Sequence, residues 1–237
     1  MASHLIQGRT VGMPVRVRDA EVCSAFYPVR ADAARAVLAY SGLDVAEVLP
    51  GKAVCVLLFV DYRDGDLDAY HEFGMAFLVR PPGVPGSTRL GDLRRAGLFV
   101  HWLPVDRPFT LEAGRSLWGF PKELADIELR LGSPYKRCIL RKDGRLVLDL
   151  LIKPGTSVPG VTTMAPPAAY THLEGVTRRV PWSVRARGAR IRPSGALIRL
   201  GNHPIAKELS ELGLPKRAMF TSTVSHAELT FGEAEEA

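Results

Sequence analysis

The chain has few cysteines and no long hydrophobic run. Its 237 residues include only Cys23, Cys55 and Cys138, which are widely spaced and form no CxxC pair. Each lies in or beside a strand-like segment, so we interpret all three as buried thiols. The longest apolar run, Ala53 to Val60, is far shorter than the ~20 residues needed to cross a bilayer. The N-terminus lacks the continuous apolar segment of a secretion signal, so we expect a cytoplasmic protein with no membrane partner.

Fingerprints for metals, nucleotides and nucleic acids are also missing. The six histidines show no HxxxH or HExxH spacing, and the Gly-rich segment 154–167 matches no nucleotide-binding motif. The net charge is +6, and arginines recur between Arg178 and Arg199, but Trp182 is the single aromatic residue among them. We therefore expect no metal and no nucleic-acid partner. The basic stretch is either a solvated face or a source of positive potential that attracts an anionic substrate.

The pattern of apolar residues predicts many strands and few helices. With 46% apolar and 24% charged residues, the composition is that of an ordinary globular protein. We predict a single domain over residues 1–237, with its core at about 15–231, in the α+β class. It should be mainly antiparallel, as a curved sheet or barrel that encloses a pocket, with a few short helices. The predicted strands are Val15–Val22, Ala53–Tyr62, Tyr70–Val79, Leu98–Val105, Ile127–Leu131 and Ala218–Phe231, and the predicted helices are Ala31–Tyr40, Thr110–Leu117 and His203–Leu212.

Two connections have recognisable turn chemistry. Asp143-Gly144 separates two strand-like runs and predicts a tight hairpin. The segment Pro81–Gly97 is rich in glycine, proline and charge, and we interpret it as a long loop that serves as a lid or a contact between subunits.

The strongest chemical candidate is Lys122, in the segment G-R-S-L-W-G-F-P-K-E-L at 114–124. A lysine amine has an ordinary pKa of ~10.4, so it must be destabilised as an ammonium by roughly 4–5 kcal/mol before it is nucleophilic near neutral pH. Burial beside the large apolar residues Trp118 and Phe120 is able to supply that free energy. The alternative is a lysine that extends from a strand end into solvent.

Three segments carry a resemblance to a known family. The core G-R-S-L-W-G-F-P-K resembles the segment around the Schiff-base lysine of the acetoacetate decarboxylase family. The run A-Y-H-E-F-G at 69–74 resembles the family's strand with an active-site glutamate, which is Glu72 here. The runs L-G-N-H-P at 200–204 and L-P-K at 214–216 resemble its C-terminal region. The similarity extends over nearly the whole chain, from about Val15 to Phe231.

The resemblance implies a function and a set of site residues. It implies a carbon–carbon lyase that decarboxylates a β-keto acid through an imine on Lys122, with Glu72 positioning substrate or moving protons. No organic cofactor is implied, because the imine itself is the electron sink. A homo-oligomer is implied, with a small keto acid as the partner. The substrate-binding residues that we predict are Arg115, Ser116, Trp118, Phe120, Phe73 and His101. The three aromatic residues are equally compatible with an ordinary core, and for His101 a hydrogen-bonded core histidine is the favoured alternative.

Departures from the family pattern keep other reactions open. The best-known decarboxylases have a second lysine near the reactive one, whereas Glu123 follows Lys122 here. Ser116 stands where those enzymes usually have a glutamate, and a further pocket glutamate falls near the apolar Leu57. In a strand, Glu123 would face away from the Lys122 amine. These departures leave two alternatives open. The same lysine would serve an aldolase, dehydratase or cyclase acting on a keto acid, or the chain would be a non-catalytic small-molecule-binding barrel.

Overall fold

The computed structural model describes residues 2–83, 96–164 and 166–237, and within them strands dominate. The helices are α1 Ala31–Leu38, α2 Pro108–Trp118 and α3 Pro204–Glu211. The strands are β1 Ser3–Ile6, β2 Arg9–Gly12, β3 Val15–Arg30, β4 Asp44–Val45, β5 Lys52–Gly65, β6 Tyr70–Arg80, β7 Gly97–Val105, β8 Lys122–Leu124, β9 Asp126–Arg130, β10 Lys136–Lys142, β11 Arg145–Ile152, β12 Thr156–Ser157, β13 Val161–Met164, β14 Ala169–Leu173, β15 Val176–Val180, β16 Trp182–Pro193, β17 Ala196–Leu200, β18 Phe220–Phe231 and β19 Glu235–Glu236.

One large open sheet organises the molecule. Its strands follow the order β12-β16-β18-β3-β5-β6-β7-β14-β15-β19, with β13, β4 and β8 paired to β16, β6 and β7. Its pairs are antiparallel except for β7 with β14 and β7 with β8. A smaller sheet, β17-β11-β10-β9, and the hairpin β1-β2 complete the described strands. The predicted α+β class with mainly antiparallel strands is therefore confirmed, and the described strands form an open sheet, not a closed barrel.

Each face of the large sheet covers a separate hydrophobic core. One core packs α1, α3 and the smaller sheet against the large sheet, with Tyr27, Phe73 and Phe77 fully buried in it. The other packs α2 and the hairpin β1-β2 against the opposite face, and it includes Trp118 and Phe120. Since side chains alternate along a strand, a long strand such as β6 contributes to both cores.

The local predictions from turn and helix signals agree with the structure. Strands β10 and β11 form the expected hairpin, and Asp143 and Gly144 both have positive φ, which this tight turn requires. Helix α1 leads through a short 3₁₀ turn to Gly42, whose φ of +72° terminates it. The three cysteines are free and buried.

Several strands were not predicted from the sequence. The hairpin β1-β2 and strands β14 to β17 fall outside the predicted set. In β16 the outward positions hold arginines such as Arg185 and Arg187, which pair with Glu228 on β18, so the segment looks like a basic stretch more than a strand. Most of the predicted loop 81–97 lies outside the described residues. No helix in the described part of the chain is both long and apolar enough to span a membrane.

Candidate active site

The end of helix α2 places Lys122. Gly119 ends the helix with a φ of +68°, and its N–H donates to the carbonyl of Arg115 at 2.9 Å, which is the αL type of helix termination. The N–H of Phe120 donates to the carbonyl of Gly114 at 3.1 Å. A side chain at Gly119 would meet the Arg178 guanidinium at 2.7 Å. The chain then reverses, and β8 begins at Lys122 in parallel register with Leu103 of β7.

Gly114 gives the lysine side chain room to lie against the helix. A Cβ atom at position 114 would be 2.5 Å from both Cδ and Cε of Lys122, which is closer than any normal contact. The two glycines of the G-R-S-L-W-G-F-P-K segment thus have separate physical roles. Gly119 turns the backbone, and Gly114 seats the side chain that the turn returns to the helix.

The Lys122 amine lies in contact with the Glu72 carboxylate inside the protein. The distance from Nζ to Oε2 is 2.8 Å, and the two side chains are only 3% and 7% exposed. Glu72 comes from β6, whose neighbour β7 pairs with β8, so adjacent strands bring the two groups together. Lysine and glutamate are rarely buried to this degree unless they are paired. A buried ion pair adds little net stability, because desolvation offsets its attraction.

Two tyrosines complete the cluster around this pair. The Tyr62 hydroxyl donates to Oε1 of Glu72 at 3.0 Å, and the Tyr70 ring centroid lies 5.1 Å from the Lys122 amine. The two rings stack with their centroids 4.3 Å apart. Burial raises the pKa of both phenols well above the ordinary value, and the Glu72 charge raises each pKa further. Both hydroxyls therefore stay protonated, and Tyr62 remains a hydrogen-bond donor.

The cluster opens onto an apolar cavity of about 140 Å³. Its walls come from β3, β5, β6, β7, β8, β14, β16, β18 and the end of α2. Among the described residues, the charged side chains that line it are Asp64, Asp68, Glu72 and Lys122. The aliphatic and aromatic wall includes Val17, Leu58, Val60, Val100, Leu103, Trp118, Phe120, Leu229 and Phe231.

The structure brings together only some of the predicted site residues. Lys122, Glu72, Trp118 and Phe120 all line the cavity. Arg115 and Ser116 are exposed on the outer surface of α2, where the Ser116 hydroxyl donates to Glu112 at 3.2 Å.

Phe73 and His101 belong to the other side of the sheet, which corrects their predicted place at the pocket. Phe73 follows Glu72 along β6 and so faces the opposite core, where it packs against Trp102. His101 is held between the Tyr40 hydroxyl and the Glu208 carboxylate, each at 2.9 Å.

The structure also shows where Leu57 and Glu123, two of the departures from the family pattern, lie relative to the cavity. Leu57 is fully buried in the opposite core, so it is not the cavity position of β5. The β5 side chains that do face the cavity include Leu58, Val60 and Tyr62. Glu123 faces away from the amine as predicted, and accepts a hydrogen bond from the Trp102 indole at 3.0 Å.

Tyr62 and Tyr70 are the site residues that sequence reasoning missed. Tyr70 lies two positions before Glu72 on a strand, so simple alternation places it on the same face. Tyr62 is the register partner of Tyr70 on the neighbouring strand β5. The position of Tyr70 follows from alternation in the sequence, whereas the position of Tyr62 depends on the register between β5 and β6, which the sequence does not give.

The fold and site define a class: an antiparallel α+β protein whose buried lysine meets a carboxylate in an apolar cavity. The model of the acetoacetate decarboxylase family matches residues 6–235, and the chain belongs to that family.

Solved structures of low identity share this fold. Acetoacetate decarboxylase from Legionella pneumophila superposes with a TM-score of 0.71 at 18% identity, covering 97% of this chain and 90% of the other. MppR, an enduracididine biosynthesis enzyme solved with pyruvate, gives 0.63 at 18% identity, with 95% and 91% covered. An acetoacetate decarboxylase-like enzyme from Sphingomonas wittichii gives 0.61 at 17% identity, with 100% and 99% covered. No curated protein matches the chain by sequence.

Proposed function

We propose that this protein is a Schiff-base-forming carbon–carbon lyase that decarboxylates a β-keto acid through an imine on Lys122. The observation that carries the proposal is the Lys122 amine, 3% exposed and 2.8 Å from the Glu72 carboxylate, at the wall of an apolar cavity. A buried charged pair at a cavity is a recognised mark of a functional site. Family membership supports the same chemistry.

The first half of the reaction forms the imine. Glu72 accepts a proton from the Lys122 ammonium, and the neutral amine adds to the ketone carbon of the substrate. A carbon–nitrogen bond forms, and one amine proton moves to the former carbonyl oxygen. Glu72 returns its proton to that oxygen, which leaves as water. The product is a cationic iminium attached to Lys122.

The second half releases carbon dioxide and the ketone. The bond to the carboxylate carbon breaks, and its electron pair moves into the iminium to give a neutral enamine. A proton from solvent adds to the enamine carbon and regenerates the iminium. Water then hydrolyses it, releasing the ketone and the Lys122 ammonium. Each turnover consumes one proton and one β-keto carboxylate, and yields one ketone and one carbon dioxide.

The apolar walls assist both halves. An apolar environment destabilises the cationic iminium relative to the neutral enamine that it becomes as carbon dioxide leaves, so exclusion of water around Lys122 favours the bond cleavage. Trp118 and Phe120 lie directly beside the lysine segment and close the cavity there. The Tyr62 hydrogen bond holds the Glu72 carboxylate in place for proton transfer.

A second candidate is a condensation or dehydration that uses the same lysine. One neighbour in fold, MppR, was solved with the condensation product of pyruvate and imidazole 4-carboxaldehyde. The iminium and enamine on Lys122 are common to both reactions, and they differ in whether the enamine gains a proton or a second carbonyl compound. Carbon dioxide release from a panel of β-keto acids separates these alternatives.

The experiment that tests the proposal is borohydride trapping. The protein is incubated with acetoacetate, pyruvate and longer β-keto acids, reduced, digested and mapped by mass spectrometry. We expect a reduced adduct on Lys122 alone. If folded protein gives no adduct with any of these acids, the imine mechanism fails, and a binding protein without covalent chemistry is the better account.

We also propose that the chain forms a single domain and a cytoplasmic homo-oligomer. Both hydrophobic cores share the large sheet, which supports one cooperative unit. A single calorimetric unfolding transition checks the first proposal, and light scattering on the purified protein checks the assembly.

A further inference from the structure

We infer that the substrate of the Lys122 site is a 3-oxo acid with an apolar substituent of about three to six carbon atoms on the side of the ketone away from the carboxylate. This inference rests on the proposed imine chemistry and adds a substrate class to it. It follows from the shape and polarity of the cavity along β6 and β7.

The cavity has a charged, exposed end. Asp64 and Asp68 lie at or just beyond the end of β5, with side chains 56% and 63% exposed, and they pair with Arg18 and Arg9. Four residues along from Asp68, β6 presents Glu72 to the cavity. This end therefore faces solvent, and because Arg18 and Arg9 offset the charges of the two aspartates, it tolerates a charged group.

The opposite end is apolar. Leu103 is the register partner of Lys122, and Val100 lies three residues before it on β7, roughly 10 Å along the strand. Val100 is 7% exposed and Leu103 is 6% exposed, and both line the cavity. The reacting pair thus lies between a charged end and an apolar end. A substrate bound to Lys122 would direct its carboxylate to the first and its other substituent to the second.

The volume sets the size of that substituent. The cavity holds about 140 Å³, close to the ~150 Å³ of an engineered apolar cavity that binds benzene. The methyl group of acetoacetate would leave much of the apolar end without contacts, and unfilled apolar space loses dispersion energy. Each methylene buried there should improve kcat/KM by about fourfold until the cavity is full.

The test compares acetoacetate, 3-oxohexanoate and 3-oxo-3-phenylpropanoate in borohydride trapping and in carbon dioxide release. We expect 3-oxohexanoate to exceed acetoacetate in kcat/KM by roughly fifteenfold, which is the gain for two methylenes. Adducts on Lys122 with acetoacetate equal to or better than the others would overturn the substrate class and leave the lysine chemistry intact. No adduct with any of the three would instead refute the proposed function.

Variants at Val100 locate the substituent. Val100→Phe should bring the ratio of kcat/KM for 3-oxohexanoate over acetoacetate close to one, because the ring fills the apolar end. Val100→Ala should shift the highest kcat/KM to a substrate with a longer chain. This variant tests the inference even if Val100→Phe fails to fold. An unchanged chain-length preference in both variants would contradict the inference.

Discussion

A second lysine–glutamate pair lies partly buried on the opposite face of the large sheet, and its surroundings differ from those of the pair in the cavity. Lys122 and Glu72 are 2.8 Å apart in the cavity, and Lys136 and Glu21 are 2.7 Å apart beside the smaller sheet. The separation of the charges is therefore nearly the same. Distance alone does not distinguish a reactive lysine from a structural one.

The two pairs differ in the additional group that binds each glutamate and in the exposure of each lysine to solvent. Glu21 also binds the Arg63 guanidinium, and the Lys136 amine also donates to the backbone carbonyl of Leu131. The Lys136 side chain is 19% exposed, against 3% for Lys122. The second partner of Glu72 is the neutral Tyr62 phenol, whereas the second partner of Glu21 is the Arg63 cation. The Lys122 pair has one balancing charge and lines an apolar cavity, whereas the Lys136 pair lines a more polar pocket.

The largest expected effect separates the two lysines directly. Lys122→Arg should abolish both the reduced adduct and carbon dioxide release, because a guanidinium stays charged and forms no imine. Lys136→Arg keeps a cation beside Glu21 and should retain both. Trapping followed by mass spectrometry measures the first, and release of carbon dioxide the second. An adduct that persists in the Lys122 variant would show that another amine is the nucleophile.

Substitutions of Glu72 and Glu21 should differ in their effect on kcat nearly as much as the two lysine substitutions differ. Glu72→Gln removes the proton acceptor next to the amine, so kcat should fall by about 10²- to 10⁴-fold. Glu21→Gln should leave kcat within about twofold and lower the free energy of unfolding by roughly 1–3 kcal/mol, since two cations lose a charged hydrogen-bond partner. Steady-state kinetics and urea unfolding on both variants check this. Equal losses of kcat would contradict a special role for the cavity pair.

A matched pair of glycines tests how the site is held. Gly114→Ala forces the Lys122 side chain to move, because the new Cβ would overlap Cδ and Cε at 2.5 Å. Stability should change little, since alanine favours a helix and the flexible lysine can shift, but kcat/KM should fall by about 10²-fold as the amine is misplaced. Gly132→Ala, where a Cβ meets nothing within 4 Å, is the control and should be active. Full activity in both would show that the amine tolerates displacement.

Sequence reasoning identified Lys122, Glu72, Trp118 and Phe120, which all line the cavity, because their determinants are local. The turn at Gly119, the lysine two residues after Phe120 and the carboxylate of Glu72 are all contained in short segments. The helices and the hairpin at Asp143-Gly144 were predictable for the same reason, as capping and turn preferences act over a few residues.

The misplacement of His101 came from long-range register. The pairing of β6 with β7 shifts between Met75 and Ala76, opposite Val100 and Trp102, so His101 is an extra residue in the strand. The shift changes which side chains face the cavity, and it turns His101 to the other side of the sheet. Strand partners far apart in the chain fix such a shift, and no local pattern reveals it.

The smallest expected effect concerns Tyr62. Its neutral hydroxyl binds Glu72, whereas the Arg63 cation binds Glu21 in the other pair. Tyr62→Phe removes the hydrogen bond to Glu72 but keeps the ring stacked on Tyr70, so kcat/KM should fall by about tenfold. The folded-state pKa of Tyr62 is raised well above the ordinary ~10. Its contribution to stability is therefore complete below pH ~10 and declines as pH rises toward the folded-state pKa, because only the unfolded chain ionises there.

The variant should consequently lose stability less steeply with pH above ~10 than the unmodified protein. Urea unfolding at several pH values from 8 to 11 measures the slope, and Lys136→Arg serves as a control with an intact Tyr62. Parallel slopes in the variant and the unmodified protein would mean that the Tyr62 hydroxyl ionises freely. In that case the Glu72 pair would be hydrated, and the dry cavity that distinguishes it from the Glu21 pair would not exist in solution.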